Sequence, residues 1–93
     1  MPIWTVPAAS DLRDAWDYIA EDNEPAADRI ADMLVAAADR LDRLPKLGRP
    51  GPRPGLRQFY VPKTNYKLLY CIADTGAVEI LRVYHTSREW PPE

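Results

Sequence analysis

Eleven residues in the middle of the chain, PKLGRPGPRPG (Pro45–Gly55), constrain the fold more than any other stretch. They include four prolines and three glycines. Proline lacks a backbone N–H and glycine weakens regular structure, so the segment excludes a helix or a central strand. We expect a stiff surface loop that separates two halves of different secondary structure. Its cations, Lys46, Arg49 and Arg53, either contact a partner or keep a connector soluble.

Before this loop, the sequence predicts one short strand followed by two helices. PIWTV (Pro2–Val6) is β-branched and aromatic and lies between prolines, which is typical of an edge strand. We expect the first helix to begin with Ser10 as its N-cap and to carry Asp11 and Asp14 in its first turn. It should end near Asn23, which can cap the second helix.

The second helix, predicted from Glu24 to Leu44, shows the strongest periodicity in the chain. Its apolar residues recur at steps of three and four, and charged residues largely fill the other side. The stripe consists of Ile30, Leu34, Ala37, Leu41 and Leu44. Two helices joined by so few residues form an antiparallel hairpin. Because neither helix can bury its stripe alone, the pair requires a sheet.

After the loop, three runs of strand-forming residues are separated by short turns rich in Gly, Asn, Asp and Pro. They are LRQFYVP, YKLLYCIA and AVEILRVYH. Such spacing predicts consecutive antiparallel hairpins. The order β-α-α-β-β-β indicates an α+β domain, with the helical hairpin packed on one face of a small, mainly antiparallel sheet. A chain of 93 residues holds one core, so residues 1–93 form a single domain.

Composition excludes several classes of function. The N-terminus lacks the pattern of a secretory signal, and no apolar run approaches the length of a membrane span, so we expect a cytoplasmic protein. One cysteine, Cys71, and one histidine, His85, cannot supply the N and S ligands of a structural zinc site. Cys71 lies in an apolar run and is expected to be a buried side chain. We expect no metal, cofactor or small-molecule substrate.

The net charge of −2 conceals an asymmetry between the two halves of the chain. Residues 1–45 hold four basic and ten acidic side chains, whereas residues 46–93 hold eight basic and four acidic ones. This split suggests a basic binding face carried by an acidic helical half. Chance clustering on a solvated surface is the alternative.

Three blocks give the chain a resemblance to a known group of proteins. They are LGRPG after the second helix, GLRQFYVPKTNYKLLYCI across the central hairpin, and VEILRVYHTSREWP at the end. In this order the blocks resemble the RelE/ParE superfamily of bacterial type II toxins, in its ParE-like (plasmid-stabilisation) branch. The resemblance implies a toxin inactivated by an antitoxin whose C-terminal segment folds onto it and places carboxylates near the basic half.

The resemblance implies two classes of target, DNA gyrase or messenger RNA on the ribosome. RelE-like cleavage requires a base, an acid and cations around the phosphate. His85 matches a histidine that performs acid–base chemistry in some RNA-cutting relatives, and Lys67 occupies the position of an arginine in them. Arg82 and Arg57 could contact phosphate. His85 could instead merely end a strand, and Arg82 could pair with Glu79 or with a helix carboxylate.

Two departures from the RNA-cutting pattern favour gyrase. No glutamate stands near Gly51 and Pro52, where some relatives place their base, and Thr86 occupies the position of an assisting tyrosine. We therefore predict a ParE-like gyrase inhibitor. The alternatives are a ribosome-dependent ribonuclease that uses His85, Lys67 and Arg82, and a regulatory module that binds only its antitoxin. The predicted target-binding residues are Arg49, Arg53, Arg57 and Arg88.

Overall fold

A computed structural model describes residues 1–87 and confirms the α+β architecture. Two helices pack on one five-stranded mixed sheet with the strand order β1-β5-β4-β3-β2. The elements are β1 (Ile3–Trp4), α1 (Val6–Ala20), α2 (Glu24–Arg43), β2 (Arg49–Pro50), β3 (Arg57–Tyr60), β4 (Tyr66–Ile72) and β5 (Val78–His85). Strand β1 runs parallel to β5, and the other pairs are antiparallel. No helix within the described range is long and apolar enough to cross a membrane.

The start of α1 corrects the prediction from sequence. The helix begins at Val6, four residues before the predicted cap Ser10, and Thr5 is its N-cap. The Thr5 hydroxyl accepts a hydrogen bond from the Ala8 N–H and donates to the Ile80 carbonyl. Pro7 suits the first turn, where a missing N–H costs nothing. The expected strand is therefore only two residues long, and Asp11 lies in the second turn.

Helix α2 agrees with the prediction at both ends to within one residue. The Asn23 side chain caps it by accepting a hydrogen bond from the Ala26 N–H over 3.0 Å. Leu34 and Leu41 of the predicted stripe are fully buried, but Leu44 is 52% exposed because the helix ends before it. The indole N–H of Trp16 donates to Asp28 over 2.8 Å and joins the two helices near the surface.

The pairing of β4 with β5 contains a bulge that decides which side chains face the helices. Leu69 is opposite Arg82 and Tyr70 is opposite Ile80, so Leu81 has no partner on β4. An extra residue reverses the alternation of faces along the strand. Ile80 and Val83 therefore both enter the core, although they are three positions apart.

The core lies between the helical hairpin and one face of the sheet. Its fully buried large side chains are Leu34 and Leu41 from α2, Leu68 and Tyr70 from β4, and Val78 and Ile80 from β5. Trp4, Leu12, Ile19, Ile30 and Phe59 pack at its edge. Burial of this apolar surface is the main source of stability.

The Pro/Gly segment is held against the sheet by two side chains. The Tyr70 hydroxyl donates to the Pro45 carbonyl over 2.7 Å and accepts from the Gly48 N–H over 3.0 Å. Arg57 donates from Nη2 to the carbonyls of Lys46 and Gly48. A Cβ atom at Gly48 would lie 2.5 Å from the Tyr70 hydroxyl, so only glycine allows this approach. Segment 49–50 forms the edge strand β2, which the sequence did not predict.

Replacement of Tyr70 by phenylalanine should destabilise the domain by about 1–3 kcal/mol, because the buried Gly48 N–H would lose its acceptor. Urea unfolding of Tyr70→Phe measures the change. Tyr60→Phe is the matched control, since Tyr60 is 46% exposed and its hydroxyl can bond to water. Equal stabilities of the two variants would contradict this role for Tyr70.

Candidate functional site

The sheet face opposite the helices gathers cations and tyrosines, and we call it the basic–aromatic face: Arg49, Tyr60, Lys67, Arg82 and Tyr84. Tyr60 pairs with Lys67, and Lys67 pairs with Tyr84, across three neighbouring strands. The Lys67 ammonium lies 5.5 Å and the Arg49 guanidinium 6.0 Å from the centre of the Tyr60 ring. The Arg82 guanidinium lies 5.1 Å from the Tyr84 ring. These distances are typical of cation–π contacts.

Burial differs among these side chains. Lys67 is only 3% exposed, whereas Tyr60 is 46% exposed. Tyr60 and the exposed Arg49 side chain beside it are therefore accessible to a partner, whereas the partly exposed Arg82 is already paired with Asp11. An exposed aromatic ring next to a guanidinium suits an anionic or planar group of a partner.

His85 lies on the other side of the sheet, next to α1. Its ring meets the Tyr66 ring edge-on, with centres 5.4 Å apart, and it borders a groove that also contains Tyr18. The Ser87 N–H donates to His85 Nδ1 over 3.1 Å. Because a backbone N–H can only donate, Nδ1 is an acceptor and the proton of the neutral ring is on Nε2.

The structure places Lys67 and Arg82 on neighbouring strands of the same sheet face, and it directs His85 to the other face. The Arg82 guanidinium reaches Asp11 of α1, so Lys67 is the cation that the sheet separates from His85. His85 follows Tyr84 directly, and adjacent strand residues point to opposite faces. The bulge at Leu81 decides which of the two faces the histidine takes. One substrate phosphate could not contact His85 on the helix side and Lys67 on the basic–aromatic face without crossing the sheet.

Arg82 forms a two-point ion pair with the helix carboxylate of Asp11. Arg82 Nε and Nη2 donate to the Asp11 oxygens over 2.7 and 3.0 Å, and the Val83 N–H donates to the same carboxylate over 2.9 Å. The hydrogen bond to Asp11 raises the pKa of Arg82 above its already high usual value. Asp11 therefore joins α1 to β5 where β1, which pairs only as far as Ile80, has ended.

The other predicted target-binding arginines occupy different places. Arg57 faces the Pro/Gly segment and holds its backbone. Arg53 is exposed in the loop before β3, and Arg49 is exposed in β2. Arg88 lies outside the described residues. The predicted cations thus do not form one cluster, and Arg49 is the member of this set that lies beside Tyr60.

Cys71, which was expected to be buried, is only partly buried in the structure. Within residues 1–87 no three His, Cys, Asp or Glu side chains approach closely enough to hold a metal ion. Burial and the nearby negative charge of Glu79 raise the pKa of the Cys71 thiol above its usual value. A thiol with a raised pKa is a poor nucleophile at neutral pH.

Comparison with known proteins identifies the family. The sequence model of the ParE toxin of type II toxin–antitoxin systems matches residues 3–90. The chain belongs to the ParE toxin family. It is therefore a type II toxin of the RelE/ParE superfamily, as the three sequence blocks indicated.

Individual relatives of this ParE-family chain come from both branches of the superfamily. Toxin RelE2 of Caulobacter vibrioides is 37% identical over 86 residues, which cover 92% of this chain and 94% of the relative. A chain in the RelBE2 toxin–antitoxin complex of Mycobacterium tuberculosis is 31% identical, with a TM-score of 0.63 and coverage of 91% and 99%. The chromosomal ParDE system of P. aeruginosa gives a TM-score of 0.78 at 24% identity, with coverage of 91% and 95%, which supports the fold.

Sequence reasoning missed the two residues that organise the site. Asp11 was expected to stabilise the helix N-terminus, but the early start of α1 places it beside β5. Tyr66 was assigned no role from the sequence, but its ring contacts His85 and borders the same groove as Tyr18. The only signal in the sequence for Asp11 was the expectation that Arg82 could pair with a helix carboxylate.

Replacement of Asp11 by alanine should destabilise the ParE-family chain by about 1–3 kcal/mol, because the Val83 N–H and Arg82 lose their shared acceptor. The expected loss of stability is small because the Arg82 side chain is 40% exposed and water screens its ion pair. Asp17→Ala controls for helix propensity on the same helix. Urea unfolding that gave the same stability for both variants would contradict the role of Asp11.

Alkylation of Cys71 should be slow in the folded chain, because burial and Glu79 keep the thiol protonated. Glu79→Gln removes the negative charge, lowers the thiol pKa and should speed the reaction with iodoacetamide at pH 8.5. Both chains should react equally fast in denaturant, which checks that the difference belongs to the folded state. The same rate for the two folded proteins would show that Glu79 does not influence the thiol.

Proposed function

We propose that this ParE-family chain acts by binding DNA gyrase and does not cleave RNA. The observation that carries the proposal is the placement of His85 on the opposite side of the sheet from Lys67. Cleavage through the ribose 2′-OH needs an acid–base group and cations around one phosphate. A binding toxin has no such requirement.

The basic–aromatic face is the surface that we assign to the target. Tyr60 is exposed and has the Arg49 guanidinium and the Lys67 ammonium over its ring. Tyrosine has few rotatable bonds, so the ring loses little side-chain entropy when it contacts a partner. Tyrosine and arginine are also the side chains that contribute most to protein–protein affinity.

A cognate antitoxin is the second partner that we propose. The solved relatives include toxin–antitoxin complexes, and the similarity to the RelBE2 chain covers 91% of this chain. Exposed apolar residues, among them Tyr18, Val35, Leu44 and Leu47, offer surface for such a partner to cover. The antitoxin would inactivate the toxin by covering its surface or by obstructing access to the target.

A ribonuclease is the second candidate, and one specific observation favours it. The basic–aromatic face presents the exposed Tyr60 ring beside the exposed Arg49, a combination that also suits a stacked base and a phosphate. The relative of 37% identity is named Toxin RelE2. In this alternative the cleaving group would have to come from the basic–aromatic face or from the ribosome, because His85 points elsewhere.

Purified toxin at micromolar concentration should inhibit supercoiling by gyrase, and messages in cells that express it should remain intact by primer extension. His85→Ala should inhibit gyrase as the unmodified toxin does, since the histidine lies away from the basic–aromatic face. Arg49→Gln should weaken inhibition by about threefold to tenfold, which corresponds to loss of roughly 1 kcal/mol.

Arg29→Gln is the matched control, because it removes the same charge from an exposed position of α2. Cuts at the ribosomal A site that disappear in His85→Ala would refute the gyrase proposal and establish the ribonuclease. Growth without arrest, with no effect on gyrase or on messages, would instead indicate a module that binds only its antitoxin.

A further inference from the structure

A groove runs between α1 and the paired ends of β4 and β5, on the side of the sheet away from the basic–aromatic face. It consists of two adjoining cavities of about 470 and 340 Å³, and Tyr18, Tyr66 and His85 border both of them. We call it the tyrosine groove. Its first end carries the carboxylates of Asp11 and Asp14. Its second end is lined by Ile19 and Ile30 on the helix side and by Lys63, Thr64 and Asn65 of the turn before β4.

The two carboxylates differ in their availability. Asp11 already accepts hydrogen bonds from Arg82 and from the Val83 N–H. Asp14 is exposed, and it makes neither an ion pair nor a hydrogen bond with any residue of the described range 1–87. Within the described range, the Asp14 carboxylate is therefore the one of the two that is available to a ligand.

Tyr66 presents a polar group to the groove. Its side chain is only 9% exposed and borders both cavities, and its hydroxyl has no hydrogen-bond partner among the residues that the structure describes. Burial and the neighbouring Tyr18 raise the pKa of Tyr66, so the hydroxyl stays neutral. The hydroxyl is open to the groove and is therefore available to a ligand that donates a hydrogen bond to it.

The aromatic rings of Tyr18 and Tyr66 favour a flat cation as the ligand. Tyr18 is 71% exposed and presents an aromatic ring at the mouth, with the Tyr66 ring behind it. Aromatic rings attract cations through their faces, and a guanidinium also stacks on them and donates several hydrogen bonds in its own plane. A lysine ammonium would satisfy Asp14 but would not use the rings and the hydroxyl equally well.

The geometry points to the tyrosine groove as the receptor for an arginine side chain of the antitoxin. The guanidinium pairs with Asp14 and packs on Tyr18, and an apolar neighbour in the antitoxin covers Ile19 and Ile30 at the second end. This inference rests on the proposed antitoxin partner. The charge of the toxin agrees with it, since residues 1–45 carry ten acidic and four basic side chains.

The affinity of the toxin for the antitoxin encoded by the adjacent gene tests the groove. Asp14→Asn should weaken binding by about fivefold and Tyr18→Ala by about tenfold, whereas Tyr18→Phe, which keeps the ring, should stay within about twofold of the unmodified toxin. Asp32→Asn is the matched control, because it makes the same charge change at an exposed position of α2 that borders neither cavity. All three positions are exposed, and circular dichroism checks that each of the four variants is folded.

A double-mutant cycle identifies the ligand itself. Each arginine of the antitoxin is replaced by glutamine in turn, and binding to the unmodified toxin and to Asp14→Asn is compared. The proposal expects one antitoxin variant for which Asp14→Asn causes no further loss. It is overturned if no arginine shows this coupling, or if Asp14→Asn and Asp32→Asn bind alike. Absence of any complex with the unmodified toxin would refute the antitoxin partner as well, so the two failures are distinguishable.

Discussion

The bulge at Leu81 in β5 is the constraint on which the arrangement of the two surfaces depends. Without the extra residue, strict alternation from Ile80 would turn Arg82 and Tyr84 toward the helices and His85 toward the opposite face. With it, Val83 enters the core and His85 lies beside α1. One residue thus assigns the cations to one side of the sheet and the histidine to the other.

The contact between Asp11 and β5 supports this geometry immediately after the bulge. A bulge interrupts the ladder and leaves backbone groups in need of partners. Strand β1 pairs only with Glu79 and Ile80, and the Asp11 carboxylate accepts the Val83 N–H beyond that point. The same carboxylate balances Arg82, so this arginine acts in the structure as well as on the basic–aromatic face.

A second set of contacts positions Arg49, the exposed cation beside Tyr60. Tyr70 and Arg57 bind the backbone of segment 45–48, and this attachment leads directly into the edge strand β2. Arg49 of β2 then lies beside Tyr60. Arg57 was expected to contact the target, but here it holds the segment that carries the arginine next to the exposed ring. The stiffness of the Pro/Gly segment becomes useful only through these side-chain contacts.

The sequence by itself determined the α+β order, the length of α2 with its Asn23 cap and the position of the loop, because periodicity and capping are local properties. It also placed Arg82 beside a helix carboxylate as one of two alternatives. Only the tertiary structure decided the face of His85, the partner of Arg82 and the edge strand β2. These three features depend on strand register and on contacts between residues far apart in the chain. Asp11 and Arg82, for example, are separated by 71 positions. No local sequence pattern encodes such contacts.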